Sequence, residues 1–392
     1  MDYLEVETLE QLMLLSSLDR CVLQGLDLEG AGVDWARHEV TARTFFLGCR
    51  LAPADEDVLR RRGAVLFPRL GELPFDPYRP RLYTSADLMR DYDGRDFEAT
   101  AADQRIYRSF LATRARHSIV DELAQRLHDH SLTDALEDFR SACALRSPCR
   151  IVGVMGSHQT ARDTGTYRDV ALLTHRLARR GFLVVTGGGP GAMEAGNLGA
   201  FLSTHDEPAV DEALWLLRGD PAAGPPVPPG YLAAAQAVIR CFAPAAAEAW
   251  GFRVDGGGPG AGYGTSLAIP TWTYGHEPSN LFASHIAKLF QNSVREEGLV
   301  TIANAGLVFA PGKAGTCQEA FTDAVQNYYA RDAAEIQPMV FFPRAYWTDT
   351  VPVVPCLKRL AAAGGRPFAR RVAALDSIEE VVSFLLEPPP IP

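Results

Sequence analysis

Two glycine-rich turns, each followed by a glutamate, are where this sequence could do chemistry. The first spans residues 186–194, TGGGPGAME, and the second spans 311–319, PGKAGTCQE. Each follows a short apolar run and opens what reads as a helix. A strand ending in such a turn leaves backbone N–H groups pointing outward at a helix N-terminus, which suits a phosphate. Gly187, Gly188, Gly189 and Gly191 in the first turn, with Gly312, Gly315 and Thr316 in the second, are the candidate phosphate contacts. Two such turns suggest one anionic ligand gripped from two sides. Lys313 either adds a charge to that pocket or stays solvated. Glu194 and Glu319 are poor phosphate ligands, but they sit where a carboxylate could act on what the phosphate carries. For Glu194 the competing reading is a helix N-terminal acid favoured by the macrodipole.

These turns need strands and helices to aim them. From residue 150 onward apolar runs and amphipathic stretches alternate. The pattern predicts strands at 150–155, 182–186, 266–272, 306–310 and 339–342. It predicts helices at 167–180, 191–202, 280–297, 315–329 and 377–386. Residues 205–230 read as an inserted loop or flap, and 256–264 as a flexible stretch. Such alternation implies right-handed βαβ units on a parallel sheet, with ligands beyond the carboxyl ends of the strands. Residues 1–145 carry no catalytic signature and read as an accessory α/β or α+β domain. Two phrases there, 23–28 (LQGLDL) and 46–51 (FLGCRL), resemble each other and predict short strands. Two copies are too few to predict a solenoid. Residues 67–80 predict a surface loop, and 102–130 and 133–145 a helical bridge. The domains expected are 1–145 and 146–392.

Composition narrows the function. The chain has 392 residues, 47% hydrophobic and 22% charged, as an ordinary globular protein does. A net charge of −10 argues against a broad nucleic-acid footprint. Seven cysteines without a CxxC pair fit reduced cytosolic thiols rather than a disulfide frame or a zinc site. The N-terminus lacks the charge pattern of a signal peptide, and no apolar run approaches a membrane span. The expected location is the cytoplasm.

Neither glycine turn matches a familiar nucleotide motif. The first follows the second strand and is not GxGxxG. The second has Ala314 after Lys313, where a P-loop needs Ser or Thr. Cys317 reads as packing, since no His–Cys arrangement accompanies it. His276, Glu277 and His285 read as loop and surface residues, without an HExxH, so no metal is expected. His158 could reach the ligand or face solvent. Asp163 and Asp169 are further acids near the turns.

Together the two motifs resemble those of the LOG (Lonely Guy) family, once labelled lysine decarboxylases, over residues 151–329. The resemblance implies a Rossmann-like parallel sheet with helices on both faces. It implies hydrolysis of a nucleoside 5′-monophosphate to free base and ribose 5-phosphate, with no cofactor. Gly156 and Ser157 match the family's Gly-Ser after the first strand, Asn280 the asparagine of its HE-x-x-N stretch, and Glu319 its catalytic glutamate. Arg295 matches the arginine of its Arg-Lys pair, where Glu296 replaces the lysine. Lys313 replaces the second glycine of PGGxGTxxE. The accessory N-terminal half is similar in arrangement to the large bacterial nucleotide 5′-monophosphate nucleosidases. A homodimer or higher homo-oligomer is expected, with no membrane or nucleic-acid partner. Lys313 and Glu296 keep open a nucleotide-sensing protein that does not cleave. A pyridoxal-phosphate enzyme would need a Schiff-base lysine, and of the three lysines (288, 313 and 358) only Lys313 lies near a phosphate-type turn.

Overall fold

A computed structural model describes residues 3–116, 118–146, 149–218, 230–244, 264–275 and 278–391. The chain packs as two compact units, Met1–Leu82 with Arg108–Phe139, and Tyr83–Tyr107 with Arg140–Pro392. No described helix is long and apolar enough to cross a membrane.

The first unit holds four short strands, β1 (Leu4–Val6), β2 (Cys21–Gln24), β3 (Phe45–Leu47) and β4 (Val65–Phe67). They pair in parallel and in chain order. The two similar phrases are stacked copies. Leu23 pairs with Phe46 and Gln24 with Leu47, and Asp27 bridges Arg50. Gly25 and Gly48 share nearly the same left-handed backbone, at φ +64° and +62°. The sequence shows two copies; the structure stacks four strands, each on its predecessor. Strands of three or four residues with unequal connections give too little periodic signal to count. Helices α1 (Leu9–Leu14) and α2 (Pro53–Arg61) lie in the connections. Leu12, Leu18, Leu23, Trp35, Phe46 and Leu59 form the core. Residues 68–80 contain no helix or strand, yet Phe75 and Tyr78 are buried, so the segment is not purely a surface loop. Two long helices follow, α3 (Ala102–Arg116) and α4 (Ile119–Arg146), and the chain passes from one unit to the other within each.

One acid in the first unit has a measurable consequence. Burial, with help from Asp138, Glu5 and Asp134 and against Arg81, pushes the Glu7 carboxyl up to about 7. A carboxyl whose folded pKa is raised supports folding fully below its unfolded pKa. That support is lost as pH rises through the folded value. The window here runs from about 4.5 to about 7. Glu7→Gln is therefore expected to raise the unfolding midpoint at pH 8 and leave it unchanged at pH 4. Equal shifts at both pH values in thermal melts would contradict this.

The second unit is built on a seven-stranded parallel sheet, ordered β11-β10-β9-β5-β6-β7-β8. Its strands are β5 (Arg150–Met155), β6 (Phe182–Thr186), β7 (Ser266–Ala268), β8 (His285–Ile286), β9 (Leu307–Phe309), β10 (Met339–Phe341) and β11 (Val372–Ala374). Helices α5 (Gly165–Arg179), α6 (Ala192–Phe201), α7 (Pro208–Arg218) and α8 (Gly230–Phe242) come before β7. Helices α9 (Asn292–Ile302), α10 (Ala314–Tyr329), α11 (Val353–Ala363) and α12 (Ile378–Leu386) come after β8. Alternation along the strands sorts these helices. Val152, Val154, Val184, Val308 and Val340 share one core with α5–α8 and α12. On the other face Phe309 stacks on Phe341 at 4.7 Å, and Trp347 meets Phe341 edge-on at 5.4 Å. There α9 packs on β5, α10 on α9, and α11 on α10. The unit is thus a doubly wound α/β fold with helices on both faces, as expected.

Three expectations about elements need correction. Residues 205–230 are not all loop, since Val210, Ala213, Leu214 and Leu217 give α7 a helical apolar stripe. The strand expected at 266–272 covers only Ser266–Ala268, and a single 3₁₀ turn follows at Trp272–Tyr274. The helix expected at 280–297 begins only at Asn292. Leu281, Phe282, Ala283, Ile286, Ala287, Leu289 and Phe290 are buried as a nearly continuous run, which suits β8 and its flanks better than an amphipathic helix. Residues 219–229, most of the 256–264 stretch, His276 and Glu277 lie outside the described residues.

Candidate functional site

The strand order reverses between β5 and β9. From β5 the sheet grows through β6, β7 and β8 on one side, while β9, β10 and β11 lie on the other. In such sheets the crevice beyond the carboxyl ends at the reversal is where ligands bind. The loops after β5, β6 and β9 converge there. Ser157 N donates to Pro311 O at 3.1 Å, and Ala192 N donates to Ser157 O at 3.0 Å. A side chain on Gly156 would press on Ala192 and Ala310. Gly191 adopts φ +70°, and a Cβ there would collide with the Ser157 carbonyl. Gly156, Ser157 and Gly191 thus lock the three loops through close backbone contact.

The remaining glycines of the first turn are held from beneath. Gly188 N donates to Thr186 Oγ1 at 3.0 Å, and Thr186 Oγ1 donates to Asn197 Oδ1 at 2.6 Å. Asn280 is fully buried. Its backbone N–H reaches Gly188 O at 2.9 Å, and its Nδ2 reaches Asn197 Oδ1 at 3.0 Å and Gly189 O at 3.4 Å. Asn280 therefore buttresses the turn instead of facing a ligand. Ser279, its neighbour, accepts from the buried Lys288 at 3.2 Å, and Lys288 also donates to Asp103 at 2.9 Å. Asn197 escaped the sequence reading, although a lone asparagine inside the apolar run AGNLGAF was its signal.

The structure brings Arg295 and Glu319 together. Arg295 is 8% exposed, and its Nε donates to Ile269 O at 2.9 Å. Its Nη1 lies 3.5 Å from Glu319 Oε1. Gly187 lies against the Arg295 guanidinium, and any Cβ there would collide with Nη2. Gly187 of the first turn and Glu319 therefore both lie against the Arg295 guanidinium. Burial raises the Glu319 carboxyl above its ordinary range; Arg295 opposes that rise and Glu296 adds to it. One turn further along α10, burial holds the Asp323 carboxyl well above its ordinary value, and its Oδ2 has no partner among the described residues.

The second turn has a closed side and an open side. Gly312 packs against the Thr316 side chain, which is buried, and its carbonyl accepts from Tyr346 OH at 2.6 Å. Gly315, in the first turn of α10, has no heavy atom within 4 Å of where a Cβ would stand. A ligand can approach the helix N-terminus there. Lys313 is exposed, and its Nζ donates to Gln159 Oε1 at 2.9 Å, tying this turn to the loop after β5. His158 and Asp163 in that loop are also exposed, and Asp169 on α5 is half-buried. Burial pushes the Cys317 thiol up, which favours the unreactive thiol form. Burial pushes the half-buried His285 ring down to about 4.

Glu194 departs from expectation. Its carboxylate has no exposed surface, and all its acceptor positions are filled. Oε2 accepts from Arg162 Nε at 2.9 Å and Tyr167 OH at 2.7 Å; Oε1 accepts from Arg162 Nη2 at 2.5 Å and Tyr231 OH at 2.6 Å. The Arg162 guanidinium also lies 3.9 Å from the Tyr231 ring centroid. With no face left for a ligand, Glu194 is removed from the contact set. Its task is to join the loop after β5 to α5, α6 and α8. Arg162 had no signal in the sequence, because its partners lie 32 and 69 residues away.

No family model matches this chain, and no curated protein does. Among solved structures it is similar to the molybdenum cofactor binding protein of Rippkaea orientalis, at 14% identity and TM-score 0.35, over 61% of this chain and 96% of that one. It is also similar to TM1055, a structural-genomics target, at 20% identity and TM-score 0.32, over 61% and 99%. The Moco carrier protein of Chlamydomonas reinhardtii aligns at 15% identity and TM-score 0.33, over 61% and 98%.

Proposed function

We propose that this protein hydrolyses the N-glycosidic bond of a nucleoside 5′-monophosphate, releasing the base and ribose 5-phosphate. The observation that carries the reading is the Arg295–Glu319 pair, set between the first glycine turn and the open N-terminus of α10. The phosphate binds at that N-terminus over Gly315, where N–H groups and the helix dipole favour an anion. Arg295 anchors the phosphate or ribose. Binding energy from the phosphate holds the ribose C1′ in place. As the bond to the base breaks, the sugar becomes oxocarbenium-like and the Glu319 carboxylate stabilises it. Water attacks C1′, Glu319 orients it and takes its proton, the departing base carries away the bonding electron pair, and that proton then passes to the base, which restores the carboxylate. The chemistry requires no cofactor.

Incubating the protein with AMP, CMP, GMP and UMP and assaying free base tests the reaction. Binding without release would return the protein to the nucleotide-sensing alternative. Adenosine is expected to bind at least about tenfold more weakly than AMP, or about 1.4 kcal/mol. Equal affinities in calorimetry would remove the phosphate cradle. The proposed setting is the cytoplasm, on the scattered cysteines. The proposed assembly is a homo-oligomer, for which the exposed stripe Phe321, Val325 and Tyr329 on α10 offers an apolar surface. Sedimentation measures it.

A further inference from the structure

We propose that Glu296 is a positioning residue for the Arg295–Glu319 pair, clamping α9 to α10 one residue away from it through Asn292 and Gln318. The proposal rests on the hydrolytic reading above. Arg295 and Glu296 are consecutive on α9, and Gln318 and Glu319 are consecutive on α10. Two rungs therefore join the helices side by side. The Arg295–Glu319 rung is long, at 3.5 Å. The Glu296 rung is short, with Gln318 Nε2 donating to Oε2 at 2.7 Å. Asn292 Nδ2 holds the other carboxylate oxygen at 2.7 Å. Charge-assisted hydrogen bonds of this length are among the stronger ones. The short rung fixes the helix separation, and the long one sits at whatever spacing results.

A carboxylate only accepts, so both amides must turn an NH₂ toward it. Asn292 does so although its Oδ1 is then buried with no partner among the described residues. The amide keeps a costly orientation, and the Glu296 contact accounts for it. Glu296 also acts on its neighbour directly. The charged groups bearing on Glu319 are Arg295, which favours its ionised form, and Glu296, which favours its proton; both come from α9.

A rival account makes Glu296 only an ill-placed charge beside a phosphate pocket. Glu296→Lys separates the two. A cation there would improve a pocket governed by charge alone, whereas a clamp would be broken. Displacing a catalytic group by about 1 Å can cost 10²-fold. Glu296→Lys is accordingly expected to lower kcat on AMP by about tenfold or more, with KM nearly unchanged. Adding Gln318→Glu reverses the polarity of the rung and is expected to restore most of kcat. A Glu296→Lys protein as active as wild type, or a double variant no better than the single one, overturns the proposal.

A second measurement needs no turnover. In the full chain with ¹³C-labelled carboxyls, Glu296→Gln is expected to lower the titration midpoint of Glu319, because a like charge is gone. An unchanged midpoint overturns the placement of Glu296. If wild-type protein releases no base from AMP while the midpoint moves, the hydrolytic reading fails and the Glu296–Glu319 coupling stands.

Discussion

Glu319→Gln is expected to reduce kcat on AMP by about 10²-fold or more, with little change in KM. Glutamine keeps the size of the side chain but brings no negative charge to an oxocarbenium-like sugar. In the proposed mechanism substrate affinity resides in the phosphate, which Glu319 does not hold, so KM is expected to be spared. The wild-type pH profile carries a second signature. In the proposed mechanism Glu319 works ionised, and burial raises its carboxyl above the ordinary glutamate range, with Arg295 opposing that rise and Glu296 adding to it. The acid limb of kcat/KM therefore lies above the ordinary glutamate range, and activity rises with pH through it. The glutamine variant loses that limb along with its rate. Near-wild-type turnover in steady-state assays would make Glu319 a structural helix acid.

Glu194→Ala is expected to destabilise the second unit by about 3–5 kcal/mol, the usual consequence of leaving a buried charge without its partner. Burial alone would lower the Arg162 pKa, but the Glu194 carboxylate more than offsets it, so Arg162 stays charged. Burial and the Glu194 charge raise Tyr167 and Tyr231 well above the ordinary phenol range, so both remain donors. Without Glu194 the guanidinium and two hydroxyls lose their acceptor at once. The double variant Arg162→Met/Glu194→Leu removes both charges and is expected to cost less than either single change. Urea unfolding followed by circular dichroism measures this. A Glu194→Ala protein of wild-type stability that no longer binds AMP would put Glu194 back at the ligand.

The two glycine turns were legible because they are local. The turns at 187–191 and 312–316 follow β6 and β9, and glycine content at a strand-to-helix junction is a short-range signal. Strands at 150–155 and 182–186 have the bounds their apolar runs predict. The 280–297 segment was misread because a buried strand and a buried helix turn share an apolar composition, and periodicity does not separate short runs. The α7 stripe was overlooked beside the proline-rich residues that follow it.

The sequence by itself determined the alternation of elements, the doubly wound class and the two turns that a phosphate would fit. These depend on periodicity and on backbone freedom, which neighbouring residues set. The tertiary structure alone decided which of the two glutamates is available. Glu194 and Glu319 both follow glycine turns, yet Arg162, Tyr167 and Tyr231 enclose the first, whereas the second meets Arg295 alone at 3.5 Å among the described side-chain partners. Which charge meets which carboxylate follows from chain segments folded together from 24 to 37 positions away, and no local pattern encodes that meeting.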